Sequence, residues 1–231
     1  MAEVRDLHPW DVAPQEAIEI QNRLRSQLIL DRAPGEIRTL AGVDVSNDPG
    51  SNRLFAAVVV FDLTQHGLKS FPVMEIQTAS LEVPFPYIPG LLSFREIPVV
   101  LKAWKKLQNR PDGLIVDGQG IAHPRRFGIA SHLGLLVDLP SIGCGKSRLI
   151  GTHADPGVSR GDWTPLIDRG ERIGAVVRTR EGVAPVYISP GHKMTLPRAI
   201  EIVLSTLTRY RLPEPIRAAH REVNAARREA G

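Results

Sequence analysis

Cysteine is almost absent from this chain, whose 231 residues contain a single one, Cys144. A lone cysteine excludes an internal disulfide and a cysteine-based zinc site. The seven histidines are scattered, and none forms a ligand pair at helical spacing, which disfavours a histidine-based zinc site. Because so few thiols are typical of a reducing compartment, we expect a cytoplasmic protein.

Long apolar runs are also missing. No segment approaches the roughly 20 apolar residues that span a membrane, so we expect no membrane partner. Residues 1–6 lack the basic-then-apolar layout of a signal peptide. Repeats, low-complexity tracts and Gly/Ser linkers are absent as well. For a chain of this length we therefore expect a single domain over residues 1–231, acting as a monomer.

The hydrophobic pattern predicts an α/β fold in which a mixed sheet is flanked by helices. Short polar turns are expected to join the first three strands as an antiparallel meander, and the later strands alternate with helices. The proline-rich segment 84–90 suits neither a helix nor a central strand. The predicted helices are 14–29, 93–108, 127–137, 196–209 and 215–229, and the predicted strands are 39–46, 54–62, 68–77, 113–117, 141–144, 172–178 and 183–188.

Two aspartates are associated with strand-like apolar segments. Alternation along residues 40–46 puts Val43 and Val45 on one face and Asp44 on the other. Asp117 lies at the carboxyl end of a predicted strand, where open α/β sheets place ligands. Carboxylates are rare in core strands unless something pairs or binds them, and two brought together would suit Mg²⁺. The pair predicts metal-assisted phosphodiester chemistry, although each aspartate alone could cap a strand or turn.

Glu96 is a candidate third carboxylate. Projected from a helix start, it could orient an attacking water beside a metal. Its spacing from Ser93 is also that of a capping box, which needs no catalytic role. Pro98 argues against a simple cap at Ser93, because a proline in the second helical turn removes a backbone hydrogen bond.

Four further side chains suit contact with nucleic acid. Tyr87, between prolines, is either a tyrosine packed on its own loop or a wedge that replaces an extruded base. His123 is followed by two arginines, so it either bonds its own backbone or contacts a phosphate or base. Glycines around Lys146 would allow it to approach a phosphate. His220 is either a half-exposed helical histidine or another active-site group.

The charge distribution agrees with a polyanionic partner. The net charge of +4 permits nucleic-acid binding without establishing it. Between residues 118 and 154 the only acid is Asp138, against four cations, Arg125, Arg126, Lys146 and Arg148. A basic rim around an acidic centre would guide a polyanion to a metal, although a solvated basic face has the same composition.

Two glycine-rich segments imitate nucleotide-binding motifs and are rejected. Residues 143–147 resemble the end of a P-loop, but Pro140 occupies the position of its first glycine. Residues 118–120 begin like a dinucleotide fingerprint, but His123 replaces the third glycine.

Six segments together resemble the endonuclease V family of inosine-specific repair nucleases. They occur in order over nearly the whole chain, and the second and third are the most specific. The segments are Ala-Gly-Val-Asp-Val-Ser (41–46), Pro-Tyr-Ile-Pro-Gly-Leu-Leu-Ser-Phe-Arg-Glu (86–96), residues 116–134 beginning Val-Asp-Gly-Gln-Gly-Ile-Ala-His-Pro-Arg-Arg-Phe-Gly, residues 142–151, Tyr-Ile-Ser-Pro-Gly-His (187–192) and residues 213–220.

The resemblance implies a ribonuclease H-like fold and assigns roles by position. It implies Mg²⁺, with Mn²⁺ as a substitute, bound by Asp44 and Asp117. It implies a catalytic Glu96, and Lys146 and His220 near the scissile phosphate. It further implies a wedge at Tyr87 and a pocket for extruded hypoxanthine. The implied pocket positions are Gly90, Leu92, Gly118 and Ile129.

The implied reaction is hydrolysis of the second phosphodiester bond 3′ to inosine in DNA, leaving 3′-hydroxyl and 5′-phosphate ends. Three alternatives remain open at this point. They are an inosine-specific endoribonuclease, a junction or flap nuclease on the same fold, and a catalytically silent protein that binds inosine-containing nucleic acid.

Overall fold

The computed structural model describes residues 3–65 and 71–230, and within them one mixed sheet of eight strands forms the centre of the molecule. The strands are β1 (Thr39–Asn47), β2 (Arg53–Asp62), β3 (Val73–Glu82), β4 (Gly113–Val116), β5 (Ser141–Gly145), β6 (Trp163–Asp168), β7 (Glu171–Val177) and β8 (Val186–Pro190). The helices are α1 (Pro14–Leu24), extended by a 3-10 turn (Arg25–Gln27), α2 (Leu92–Trp104), α3 (Ile129–Val137), α4 (Leu196–Ser205) and α5 (Glu214–Ala230).

The strand order is β3-β2-β1-β4-β5-β8-β7-β6. The first three strands form an antiparallel meander, and β4 and β5 continue the sheet parallel to β1. The last three strands are antiparallel to their neighbours. The predicted α/β fold, with a three-strand meander followed by parallel strands in one domain, is confirmed.

Helices cover both faces of the sheet. Helices α1, α2 and α3 pack on the face that carries Val43 and Val116. Helices α4 and α5 pack on the other face, which carries Leu40 and Ile115. Because side chains alternate along a strand, Asp44 lies on the α5 face while Val43 points to α2. No helix of the described part of the chain is both long and apolar enough to cross a membrane.

Three strand predictions need correction. The strand expected at 68–77 is found at Val73–Glu82; residues 68–70, and the preceding turn residues 66 and 67, lie outside the described residues. The strand expected at 183–188 begins at Val186, because Gly182 has a positive φ and Pro185 has no N–H to donate. Strand β6 was not predicted because it contains Pro165, which an edge strand tolerates.

Four helix boundaries also differ from the predictions. Helix α1 ends at Leu24 rather than 29, α2 at Trp104 rather than 108, and α4 at Ser205 rather than 209, while α3 begins at Ile129 rather than 127. Leu107 and Leu207 are buried from the turns that follow their helices. Apolar periodicity therefore continues beyond the last helical residue, which explains why the pattern overestimates helix length.

The start of α5 lies directly against the backbone of β1. A Cβ atom at Gly42 would lie 2.1 Å from the Pro215 carbonyl oxygen. A glycine at this position thus allows the close approach by which α5 brings His220 to Asp44. The same helix packs its buried Ile216 and Ala219 on the sheet.

We expect Gly42→Ala to destabilise the protein by about 1–3 kcal/mol, because the added methyl would collide with backbone rather than with a movable side chain. Denaturant unfolding measures this difference. Gly35→Ala is the matched control, since nothing lies within 4 Å of a Cβ atom there. Equal stability of the two variants would contradict the close packing of α5 on β1.

Candidate active site

Three carboxyl side chains meet where the pairing of β1 with β4 ends. Asp44 is the sixth residue of β1, and Asp117 directly follows β4. The parallel register places Val43 beside Val116, and the Asp117 N–H donates to the Val43 carbonyl at 3.1 Å. Glu96 approaches from α2, close enough for both aspartates to act on its charge. The structure thus brings together the three carboxylates that the sequence suggested.

The negative charge of this cluster is poorly compensated at Glu96. Burial raises the pKa of the Glu96 carboxyl to about 8, and the charges of Asp44 and Asp117 add to the effect. Burial and the Asp117 charge also raise the pKa of Asp44. None of the hydrogen bonds or ion pairs within residues 3–65 and 71–230 involves the Glu96 carboxyl. Glu96 is therefore a sheltered acid that can hold a proton near neutral pH.

Two basic side chains compensate the aspartates. The Lys146 ammonium, from the loop after β5, forms an ion pair with Asp117. The His220 Nδ1 lies 2.7 Å from Asp44 Oδ2, while Asp44 Oδ1 accepts the Val45 N–H at 2.9 Å. Lys146 and His220 thus lie beside the carboxylates, and their implied position near a scissile phosphate stays a prediction.

Asn224 defines the tautomer of His220, and sequence reasoning missed it. The Asn224 Nδ2 lies 3.2 Å from His220 Nε2 and donates to the His220 carbonyl at 2.7 Å. If Nε2 accepts from this amide, Nδ1 carries the proton and donates it to Asp44. The i, i+4 spacing of His220 and Asn224 on a helix was the available signal.

The chemistry of the acidic donors fits a hard divalent cation. Carboxylate oxygens are the ligands that Mg²⁺ prefers. Burial is the main cause of the raised pKa of Glu96, and the charges of Asp44 and Asp117, which a cation would neutralise, add to it. Within the described ranges, no three or more His, Cys, Asp or Glu side chains form a ready-made cation site. Asp44 and Asp117 instead hold His220 and Lys146.

A cavity of about 200 Å³ opens next to the carboxylates. Its lining includes the six residues predicted to surround or approach an extruded base, namely Tyr87, Gly90, Leu92, Gly118, His123 and Ile129. Gly90 has a φ of +81°, a conformation that favours glycine. A Cβ atom at Gly118 would lie 2.6 Å from the Ile129 side chain, so glycine keeps this part of the cavity open.

The Gly90 carbonyl is held from behind by three side chains. It accepts hydrogen bonds from Gln21 Nε2 at 3.1 Å, His123 Nε2 at 3.0 Å and Arg125 Nη2 at 2.6 Å. Burial and the Arg125 charge lower the pKa of His123 to about 4, so its ring is neutral. The backbone N–H of Arg125 donates to His123 Nδ1 at 3.2 Å, which places the ring proton on Nε2.

The structure places His123 in the cavity wall. Both ring nitrogens bond to backbone groups, the Gly90 carbonyl and the Arg125 N–H, as the backbone-bonding alternative expected, and its contact with a phosphate or base stays a prediction. Gln21, a buried residue of α1, was missed altogether. A buried glutamine on an otherwise apolar helix face was the only available signal.

The capping-box alternative for Ser93 and Glu96 is wrong. Helix α2 begins at Leu92 after Leu91, and no side chain caps it. Ser93 is buried, and its hydroxyl lies 3.1 Å from His132 Nδ1. Pro98 lies inside α2, as the sequence argument required. Tyr87 is 70% exposed at the cavity mouth, so it is not packed into its own loop.

Comparison with known proteins identifies close relatives. The sequence model of the family described as endonuclease V matches residues 22–221. Endonuclease V of Myxococcus xanthus is 51% identical over 232 residues, covering 100% of this chain and 97% of the relative.

Solved structures of endonuclease V proteins superpose on this chain over most of its length. The crystal structure of endonuclease V from Streptomyces avermitilis superposes with a TM-score of 0.90 at 40% identity and covers 99% of each chain. Endonuclease V of Ciona intestinalis, solved with DNA containing an inosine followed by a ribo-adenosine, superposes with a TM-score of 0.81 at 26% identity. This match covers 94% of the present chain and 98% of that one.

The raised pKa of Glu96 predicts a stability change with pH in chelator. The folded state holds a proton between the ordinary pKa of 4.5 and about 8, whereas the unfolded state releases it. Folding stability should therefore fall as pH rises through this window. Glu96→Gln removes the titration, so its stability should change less with pH.

Denaturant unfolding at several pH values, with and without Mg²⁺, measures the effect. Added Mg²⁺ should stabilise the parent at high pH more than Glu96→Gln, because the cation neutralises the ionised carboxylate. Parallel pH profiles of parent and variant in chelator would contradict the sheltered state of Glu96.

Proposed function

The chain belongs to the endonuclease V family, and from that premise we propose that it cleaves strands containing hypoxanthine at the second phosphodiester bond 3′ to the lesion. It is a nuclease, a hydrolase that acts on phosphodiester bonds. The proposed products carry 3′-hydroxyl and 5′-phosphate ends, and the base is not removed. The Ciona relative was solved on inosine-containing DNA, which supports the substrate.

One observation carries the proposal: a base-sized cavity adjoins the carboxylate cluster along three separate chain segments. Gly118 of the cavity follows Asp117, and Ser147 follows Lys146. Leu92 of the cavity lies one helical turn before Glu96. A base held in the cavity would thus place the phosphates of its own strand beside the carboxylates.

The cavity suits a base edge rich in hydrogen-bond acceptors. Helices α2 and α3 both begin at its wall, with Leu92 and Ile129, and neither has a side-chain cap. First-turn N–H groups have no partner within their helix, and although the Ala130 N–H donates to the Gln119 carbonyl, the positive helix ends favour an acceptor. Hypoxanthine offers a C6 carbonyl where adenine has an amino group. A tight cavity would also exclude the extra 2-amino group of guanine.

The carboxylates suit metal-assisted hydrolysis. Endonucleases of this family are generally metal-dependent. The proposed cofactor is Mg²⁺, with Mn²⁺ as a substitute, held by Asp44 and Asp117. A bound cation supplies electrostatic stabilisation of the phosphate and activation of water.

The neighbouring side chains supply proton transfer and positive charge. Glu96 holds a proton near neutral pH without metal, and a bound cation would favour its ionised form, which is suited to orient the attacking water and take its proton. Lys146 is suited to stabilise charge that develops on the phosphate. His220 orients Asp44 through the Nδ1 hydrogen bond.

Cleavage of inosine-containing RNA is the second candidate function. The ribo-adenosine after inosine in the Ciona complex favours it, because that relative accepts a ribonucleotide next to the lesion. A catalytically silent binder is disfavoured because all the proposed catalytic side chains are present, namely Asp44, Glu96, Asp117, Lys146 and His220. We also propose a cytoplasmic location, which the single buried thiol of Cys144 supports.

Product mapping tests the activity. End-labelled inosine-containing DNA and RNA are incubated with Mg²⁺ or chelator, and we expect metal-dependent cleavage of the second bond 3′ to inosine. Asp44→Asn and Asp117→Asn should each remove most cleavage while inosine-DNA binding persists, because base and phosphate contacts lie elsewhere. Asp155→Asn, an exposed aspartate paired with Arg178, is the matched control. Full cleavage by either site variant would refute the assignment.

Tyr87 is expected to act as a wedge. Its aromatic ring should stabilise the bound duplex by about 1–3 kcal/mol through stacking, so Tyr87→Ala should weaken binding to inosine DNA accordingly. Tyr87→Phe keeps the ring and should retain most affinity. Melting temperature should change little in both variants, since the side chain is exposed. Unchanged affinity of the alanine variant would mean that Tyr87 does not stack on the substrate.

A further inference from the structure

A second concave surface lies on the α5 side of the active site. It is a groove of about 510 Å³ lined by Tyr210, Arg211, Leu212, Arg217, His220 and Arg221. We call it the α5 groove. Of its residues, only His220 belongs to the site described above.

The α5 groove carries excess positive charge. Residues 209–222 contain four arginines and two glutamates, Glu214 and Glu222. Arg221 is exposed, and its Nε donates to Glu222 at 2.9 Å. An arginine has five N–H donors, so this pair leaves most of the Arg221 guanidinium for another anion.

An aromatic ring holds a second guanidinium in place. The Arg217 guanidinium lies 3.3 Å from the centre of the Tyr210 ring and forms an ion pair with Glu214. Arg209 donates to the Tyr210 hydroxyl at 2.7 Å. Stacking on a ring orients the edge of a guanidinium without using its N–H groups. A fixed fork of donors is well suited to phosphate oxygens.

The floor of the groove is tied to the active-site loop. Arg211 Nη2 donates to the carbonyls of Lys146 at 2.6 Å and Pro185 at 2.8 Å. The groove therefore has a defined position relative to Lys146 and His220. An anion bound there would lie in line with the groups beside the scissile phosphate.

The α5 groove and the base cavity lie on opposite faces of the sheet. The base cavity is lined by the first residues of α2 and α3, which cover one face, whereas the groove is lined by α5 on the other. The carboxylates lie between them, at the strand ends. A strand with its base in the cavity and a phosphate at the carboxylates must continue toward α5.

We propose that the α5 groove binds the phosphates of the substrate strand on the 3′ side of the cleaved bond. The direction rests on the proposed function, because cleavage 3′ to the extruded base means that the strand leaves the carboxylates in the 3′ direction. Arg217 and Arg221 contact the phosphates, and Tyr210 holds Arg217 in place. Binding here keeps the downstream product strand on the enzyme beside His220.

The test combines variants with substrates of different 3′ length. The short inosine strand ends with the first nucleotide after the cleaved bond. The long strand continues for about ten nucleotides beyond that bond, roughly one duplex turn. Arg217→Gln/Arg221→Gln should weaken binding of the long strand about tenfold, the size of a charge-assisted contact, and bind the short strand like the parent. The salt slope of the long strand should fall by about one for each phosphate that the variant no longer neutralises.

Arg228→Gln is the matched control, since it removes an exposed arginine from the same helix outside the groove. The single variant Arg221→Gln keeps the ion pair of Arg217 with Glu214, so it tests the groove even if loss of that pair unfolds α5 in the double variant. Arg221→Lys should keep the salt slope.

Each result has a distinct meaning. A parent that fails to cleave inosine strands contradicts the proposed function itself. A parent that cleaves normally, with variants equally weakened on short and long strands, overturns the groove. A double variant that binds the long strand as tightly as the parent contradicts the proposal as well.

Discussion

The parallel pairing of β1 with β4 is the constraint on which the rest of the site depends. One backbone hydrogen bond, from the Asp117 N–H to the Val43 carbonyl, aligns the ends of the two strands. Asp44 directly follows the last residue of β1 that pairs with β4, and Asp117 directly follows β4. Both aspartate side chains are largely shielded from water.

Burial makes the ionised forms of Asp44 and Glu96 energetically unfavourable. Without a bound cation, the like charges and the burial leave Glu96 with a pKa of about 8. Lys146 reduces this cost at Asp117 through an ion pair, and His220 reduces it at Asp44 through a hydrogen bond. These two side chains come from the loop after β5 and from helix α5. The close contact between Gly42 and Pro215 is what permits α5 to come near enough.

The proposed substrate surface uses both faces of the sheet. Two uncapped helix starts form a cavity on the α2 and α3 side, and an arginine-rich groove lies on the α5 side. The cavity wall depends on buried polar groups, since Gln21, His123 and Arg125 all bond the Gly90 carbonyl. In the proposed binding mode, the cavity selects the base and the α5 groove binds the strand, and the carboxylates lie between these two surfaces.

The sequence by itself determined the fold class and suggested the three carboxylates, whereas the cavity positions Gly90, Leu92, Gly118 and Ile129 were implied by the resemblance to the endonuclease V family. Alternation around Asp44, a strand ending at Asp117 and the glycines of residues 86–128 are local patterns, and each is readable without the rest of the chain. The sequence pattern did not predict strand β6, because it contains a proline that an edge strand tolerates. It placed several helix ends too late, because residues such as Leu107 are buried from turns that follow a helix.

Only the tertiary structure decided which residues support the site from a distance. Asn224, Gln21 and Arg211 act through hydrogen bonds to partners that are mostly far away in sequence, and their own neighbours show no distinctive pattern. It also decided that Ser93 bonds His132 instead of capping α2, and that the histidine at 123 supports the wall. Such choices depend on which backbone groups remain unpaired after packing, and that is a property of the folded chain.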